Sequence, residues 1–89
     1  MMLRPSPDVI YEVIDGRAML VSPDGAELIS LNAVGTMVWE LLDVAGDAGR
    51  LAAELHPRFE GVTLDELQRD IADFLEELRQ QDLVRETDA

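Results

Sequence analysis

The chain predicts an α+β fold of winged-helix type, a three-stranded antiparallel sheet followed by three helices. Three observations carry this. Two tight-turn signatures, Asp15-Gly16 and Pro23-Asp24-Gly25, punctuate short β-rich runs near the N-terminus. Asn32 stands ahead of an apolar pattern at helical spacing, where its side chain can accept a free first-turn N–H. Thr63 and Glu66 form a T-x-x-E capping box ahead of a second such pattern. Strands segregated from helices fit this class better than an alternating α/β order.

The first strand is expected over Val9–Ile14, with Val9, Tyr11 and Val13 on one face and Ile10, Glu12 and Ile14 on the other. The second is expected over Ala18–Ser22 and the third over Ala26–Leu31, an antiparallel meander. The first helix should run from Asn32 to about Val44, burying Val34, Met37, Val38, Leu41 and Leu42, with Gly46-Asp47 ending it. Trp39 reads as core packing near the rim. The second helix is expected from about Ala48 to Phe59, with Leu51, Leu55 and Phe59 inward and Pro57 ending or kinking it near His56. The third carries Leu64, Leu67, Ile71, Phe74, Leu75 and Leu78 as one stripe, and Leu83 and Val84 fold back as an apolar clamp. The expected domain is a single unit over 1–89, with 1–7 a loose arm and 86–89 a loose tail.

Composition narrows the function. A chain of 89 residues buries roughly 60–65% of its unfolded surface on folding, so its core is modest. There are no cysteines, which excludes disulfides and thiolate metal sites and suits a reducing cytoplasm. No apolar run approaches the ~20 residues of a membrane span. The net charge is −12. All seven basic residues are arginines and are scattered along the chain. Phosphate backbones and anionic membranes would be repelled, so neither nucleic acid nor membrane is an expected partner. The third helix with its clamp, Leu64–Val84, makes the point locally. Asp65, Glu66, Asp70, Asp73, Glu76, Glu77 and Asp82 stand against Arg69 and Arg79, the wrong charge for a recognition helix in a DNA groove.

No residue set reads as catalytic. His56 is the only histidine and its neighbours Glu54 and Arg58 give no ligand spacing, so a surface histidine at a helix end is expected. Asp70, Asp73, Glu76 and Glu77 spread around a helix face instead of converging on one point, so no metal or cofactor is expected. Ser22, Ser30 and Thr36 have no base beside them in sequence. Asp70 borders the apolar stripe beside Leu67 and Phe74, where it can pair with a basic group on a bound peptide. The third strand has no proline or lysine to blunt it and lies at the edge of the meander. It is either covered by the third helix or open to a guest strand.

The run ISLNAVGTMVWELLD, followed by DIADFLEELRQQDLV in the third helix, resembles the PqqD-like family of recognition elements for ribosomally made, modified peptides. The similarity spans about Val9 to Val84 and lies in the order and spacing of these motifs. The resemblance implies a winged-helix-like fold and a non-catalytic protein. It implies that the leader of a precursor peptide adds as a strand beside the third strand, in a groove bounded by the third helix. Carried to this chain, the strand positions are Glu27, Leu28, Ile29, Ser30 and Leu31, and the helix positions are Leu67, Asp70, Ile71, Phe74 and Glu77. Leu67 and Phe74 would floor an apolar pocket, with Asp70 and Glu77 at its rim. The implied partners are the precursor peptide and a processing enzyme of its pathway. Freestanding members are of two kinds, one presenting leaders to the protease and cyclase of lasso-peptide assembly, the other serving a radical-SAM enzyme of quinone-cofactor synthesis. The lasso kind is the one expected. An acidic subunit-interface domain without a leader is the alternative of another class.

Overall fold

The computed structural model describes residues 2–87. Its elements in chain order are β1 (Met2–Pro5), β2 (Ile10–Ile14), β3 (Arg17–Val21), β4 (Leu28–Ser30), α1 (Ala33–Leu41), α2 (Ala48–Leu55), a 3-10 turn (His56–Arg58), α3 (Leu64–Gln80) and β5 (Val84–Thr87). The expected meander is present as an antiparallel sheet of order β2-β3-β4. Asp15 and Gly16 both take positive φ, +53° and +78°, as a two-residue hairpin turn with the right-handed strand twist requires.

Residues 2–6 of the expected arm are not loose. Met2–Pro5 pairs antiparallel with Val84–Thr87, from Met2↔Thr87 to Pro5↔Val84, in a second sheet. Leu3 is buried, and its N–H donates to the Gly46 carbonyl at 2.8 Å. Gly46 has no side chain because a Cβ there would overlap the Leu3 carbonyl. Ser6 then ties the arm to the end of α3, its N–H donating to Leu83 O at 2.9 Å and its hydroxyl to Asp82 O at 2.7 Å. The C-terminal tail is corrected in the same way, since Glu86 and Thr87 belong to β5. The remaining tail positions 88–89, and Met1 of the arm, lie outside the described residues.

β2 and β4 are shorter than their sequence patterns, and β3 keeps its length but starts one residue earlier, at Arg17. β4 begins only at Leu28 because the preceding turn folds on itself. Gly25, at φ +74°, donates its N–H to Ser22 O, Ser22 N–H donates to Glu27 O, and Glu27 N–H donates to Ser22 Oγ. The Ser22 hydroxyl donates to Asp24 Oδ1 at 2.6 Å and Ala26 N–H adds a second donor at 2.9 Å, so the Asp24 carboxyl is held below its ordinary range.

Helix starts follow the predicted caps. Asn32 Oδ1 accepts from Gly35 N–H at 2.8 Å, and Thr63 Oγ1 accepts from Glu66 N–H at 3.1 Å. Asp47, expected only as part of a stop, also caps α2 by accepting from Gly49 N–H. α1 ends at Leu41 rather than Val44. α2 ends at Leu55, one residue ahead of the His-Pro step, and the 3-10 turn carries the chain to Phe59. The core joins Ala18 and Leu20 of β3, Val38, Trp39 and Leu42, Leu51 and Leu55 of α2, Ile71, Leu75 and Leu78 of α3, and the Leu83-Val84 clamp. Trp39 is 2% exposed rather than rim-exposed, and Tyr11 meets its indole edge to face with centroids 5.6 Å apart. Two residues assigned to the core are not in it: Val34 is 37% and Leu64 43% exposed.

α3 ends in a Schellman motif. Leu83 N–H donates to Leu78 O at 2.9 Å and Asp82 N–H to Arg79 O at 3.1 Å, with Asp82 in the left-handed region at φ +60°. The buried pair Leu78 and Leu83 supplies its apolar contact. This turn sets the exit of α3 and delivers Val84 to β1.

Candidate functional site

Among the described residues, β4 has a strand on one side only. Its register with β3 is Met19↔Ser30, Leu20↔Ile29 and Val21↔Leu28. The bonds flanking this ladder, Ser22 N–H to Glu27 O and Leu31 N–H to Ala18 O, place Ile29 among the residues that exchange bonds with β3. By the same alternation, the N–H and C=O groups of Leu28 and Ser30 point to the open edge. The ladder stops where the chain turns into α1. There Ala18 N–H donates to Thr36 Oγ1 at 2.8 Å, and Arg17 Nε donates to Leu31 O at 3.1 Å. Both groups would have continued the ladder; a hydroxyl and a guanidinium satisfy them instead.

Beyond this edge lies a groove of about 540 Å³. Ile29, Ser30 and Leu31 form one wall, and Leu67, Asp70, Ile71, Phe74, Glu77 and Leu78 of α3 form the opposite one. The first turn of α1 contributes Asn32, Val34 and Gly35, with Val38 below, and the loop before α3 contributes Phe59 and Val62. The lining is mainly apolar, with its two charges, Asp70 and Glu77, on α3. Phe74 is half-buried between core and groove, next to Gly35 of α1.

Of the residues singled out from sequence, Ile29, Ser30, Leu31, Leu67, Asp70, Ile71, Phe74 and Glu77 come together here. Leu28 and Glu27 do not line the groove. Leu28 is 66% exposed on the opposite face of the sheet from Ile29, as strand alternation requires. Glu27 lies in a neighbouring depression with Asp24, Gln80 and Asp82, which meets the groove at Gln81.

Val34, Gly35, Phe59 and Val62 were not foreseen as lining. The signal for Val34 was present in the apolar pattern of the first helix, which marks a face without saying what covers it. His56 also acquires a role. Its Nε2 lies 2.8 Å from the Val62 carbonyl, which can only accept, so this nitrogen carries the proton. His56 thereby fixes the loop that brings Phe59 and Val62 to the groove.

Among the described residues no group of three or more His, Cys, Asp or Glu converges as a metal site. No helix among them is long and apolar enough to cross a membrane.

An open sheet edge beside a helix-walled apolar groove is the architecture of a scaffold that can accept an added strand. The chain belongs to the PqqD family: residues 17–84, from β3 to the first residue of β5, match the family described as coenzyme PQQ synthesis protein D (PqqD). Two solved structures share the fold. One is TbiB1 in complex with the TbiA(beta) leader peptide, with a TM-score of 0.84 and 23% identity over 97% of this chain and 99% of that one. The other is a lasso peptide synthetase B1 complexed with the leader peptide, also at a TM-score of 0.84, with 20% identity over 97% of this chain and 100% of that one. No curated protein matches the chain.

Proposed function

We propose that this protein is a non-catalytic recognition element that binds the leader of a ribosomally made precursor peptide and presents it to a processing enzyme. The leader adds as a strand to the β4 edge, pairing with the backbone of Leu28 and Ser30, while its inward side chains seat between Phe74, Ile71 and Val34. The whole chain, 1–89, acts as one such module. The observation that carries this reading is the unpaired β4 edge opening directly onto the apolar groove under α3. Backbone pairing supplies affinity and alternate side-chain pockets supply specificity. Holding the leader raises the effective concentration of the attached core peptide at the enzyme, which accounts for a function without catalytic groups of its own.

The enzyme served is the leader protease, and then the cyclase, of lasso-peptide assembly. This choice is supported by the two structural neighbours, both complexes with a leader peptide and one of them a lasso peptide synthetase B1, which share the fold over nearly the whole of both chains. The family description favours a second reading, a peptide chaperone of quinone-cofactor synthesis.

The test is fluorescence polarisation with two labelled leaders from the same genome, one from a lasso precursor and one from a quinone-cofactor precursor. Saturable binding of the lasso leader, weakened at least tenfold by Phe74→Ala in a protein that keeps its circular dichroism and cooperative unfolding, is expected. Binding of the quinone-cofactor leader alone would reassign the pathway. Binding of neither by the folded protein would remove the leader reading in favour of an acidic subunit-interface domain.

A further inference from the structure

The charges on α3 are unequally satisfied. Arg79 grips Glu76 on the exposed side, Nη2 to Oε1 at 2.7 Å and Nε to Oε2 at 3.0 Å. Asp70 and Glu77, the two charged residues that line the groove, have no ion-pair partner and accept no side-chain hydrogen bond among the described residues. No basic side chain among the described residues lines the groove with them. The nearby source of positive potential, the N-terminus of α1, is capped by Asn32 Oδ1 and adds no free donor at Gly35. The groove therefore presents two uncompensated carboxylates along an apolar floor.

Their placement is specific. Asp70, Phe74 and Glu77 lie on one face of α3, with Phe74 about 6 Å along the axis from Asp70 and about 4.5 Å from Glu77 at 1.5 Å per residue. In an extended guest, same-face side chains recur about every 6.8 Å. A guest whose apolar residue sits on Phe74 thus puts the residues two before and two after it within side-chain reach of the two carboxylates.

We propose that the groove selects a basic guest strand, in which an apolar residue that docks on Phe74 is flanked two positions away, on one side or both, by Lys or Arg paired with Asp70 and Glu77. The proposal rests on the peptide-binding reading and adds the chemistry of the guest. Such pairs are partly solvated, so each carboxylate contributes about two- to fivefold in affinity, with the apolar anchor and the backbone providing the rest.

The experiment is selection of a randomised 12-residue display library on the immobilised full chain, followed by sequencing. Three proteins are compared: wild type, Asp70→Asn/Glu77→Gln, and a control, Glu40→Gln/Glu54→Gln, which loses the same charge from exposed positions outside the groove. The expected wild-type pool shows Lys or Arg two positions from a large apolar residue. The control keeps that pattern, whereas the groove variant keeps the apolar residue and loses the basic ones. Individual selected peptides should weaken about two- to fivefold per carboxylate removed and lose this discrimination in high salt. A wild-type pool rich in apolar strands without basic enrichment overturns the charge selection and leaves peptide binding standing. Basic enrichment that survives in the groove variant, or falls equally in the control, also overturns it. A pool with no enriched strand pattern removes the peptide-binding reading and this proposal together.

Discussion

The Phe74 ring packs over Gly35 so closely that a Cβ built on the glycine would stand 3.1 Å from Phe74 Cζ. The same Cβ would lie 3.3 Å from the capping Asn32 Oδ1 and 3.4 Å from Leu31 Cβ. The ring is the far end of a flexible side chain, so an added methyl displaces it by a few tenths of an ångström, and the open direction is the groove. Gly35→Ala should therefore narrow the groove and weaken peptide binding several-fold. Its effect on stability should be small, because alanine is the better helix former by about 0.8–1 kcal/mol and offsets the crowding. Thermal unfolding and peptide titration of the same variant check this. Unchanged affinity would show that the guest does not reach the ring.

Thr36 is a second residue whose role lies in one contact. Its hydroxyl takes the Ala18 N–H at 2.8 Å where β4 has already turned away, and both residues are buried. Thr36→Val keeps the shape and removes the acceptor, leaving a buried donor unpaired at about 1–3 kcal/mol. Thr36→Ser restores the oxygen and should recover much of that loss. Urea denaturation of the three proteins measures it, and an unaffected Val variant would show that Ala18 N–H finds water.

The parts of the fold written locally were legible. Asp15-Gly16, the caps at Asn32 and Thr63, and the α3 stripe each depend on residues within four positions of one another. The N-terminal arm was not, because β1 exists only by pairing with β5, and its tie to α3 joins Ser6 to Asp82 across 76 residues. Gly35 and Gly46 were missed as contact positions for another reason: a residue that matters by lacking a side chain leaves no trace in hydrophobic periodicity. The groove wall on α3 was legible from Leu67, Ile71 and Phe74. Val34 was misread as core because periodicity identifies an apolar face and not what covers it.

Asp82 points to a stabilising substitution. It occupies the left-handed position of the Schellman turn at φ +60°, where glycine meets no Cβ penalty, and its carboxylate sits at the negative end of the α3 dipole. Its backbone carbonyl, which accepts from Ser6, is unaffected by a change of side chain. Asp82→Gly should stabilise by about 0.5–1 kcal/mol, raising the melting temperature by roughly 2–8 °C for a chain of this size. A lower melting temperature would mean that the Asp82 side chain contributes more than its backbone strain removes.

The turn ahead of β4 gives the protein an acid-sensitive element. The Ser22 hydroxyl first, and Ala26 N–H second, favour the ionised Asp24 carboxyl and hold it below its ordinary range. Glu76 is lowered likewise by its hydrogen bonds from Arg79. A carboxyl lowered in the folded state contributes stability that is fully present above its unfolded value and is lost as pH falls through the folded one. The urea midpoint should therefore be insensitive to these two groups above about pH 5 and should fall below about pH 4. Asp24→Asn should lower the midpoint at pH 7 and give a shallower acid limb than wild type, because one of the two contributing protonations is gone. The turn also sets where β4 begins, so the same variant should exchange the Glu27 and Ile29 amides faster at neutral pH. Identical acid limbs in the two proteins would place the acid sensitivity elsewhere among the carboxylates, with Glu76→Gln the next variant to measure.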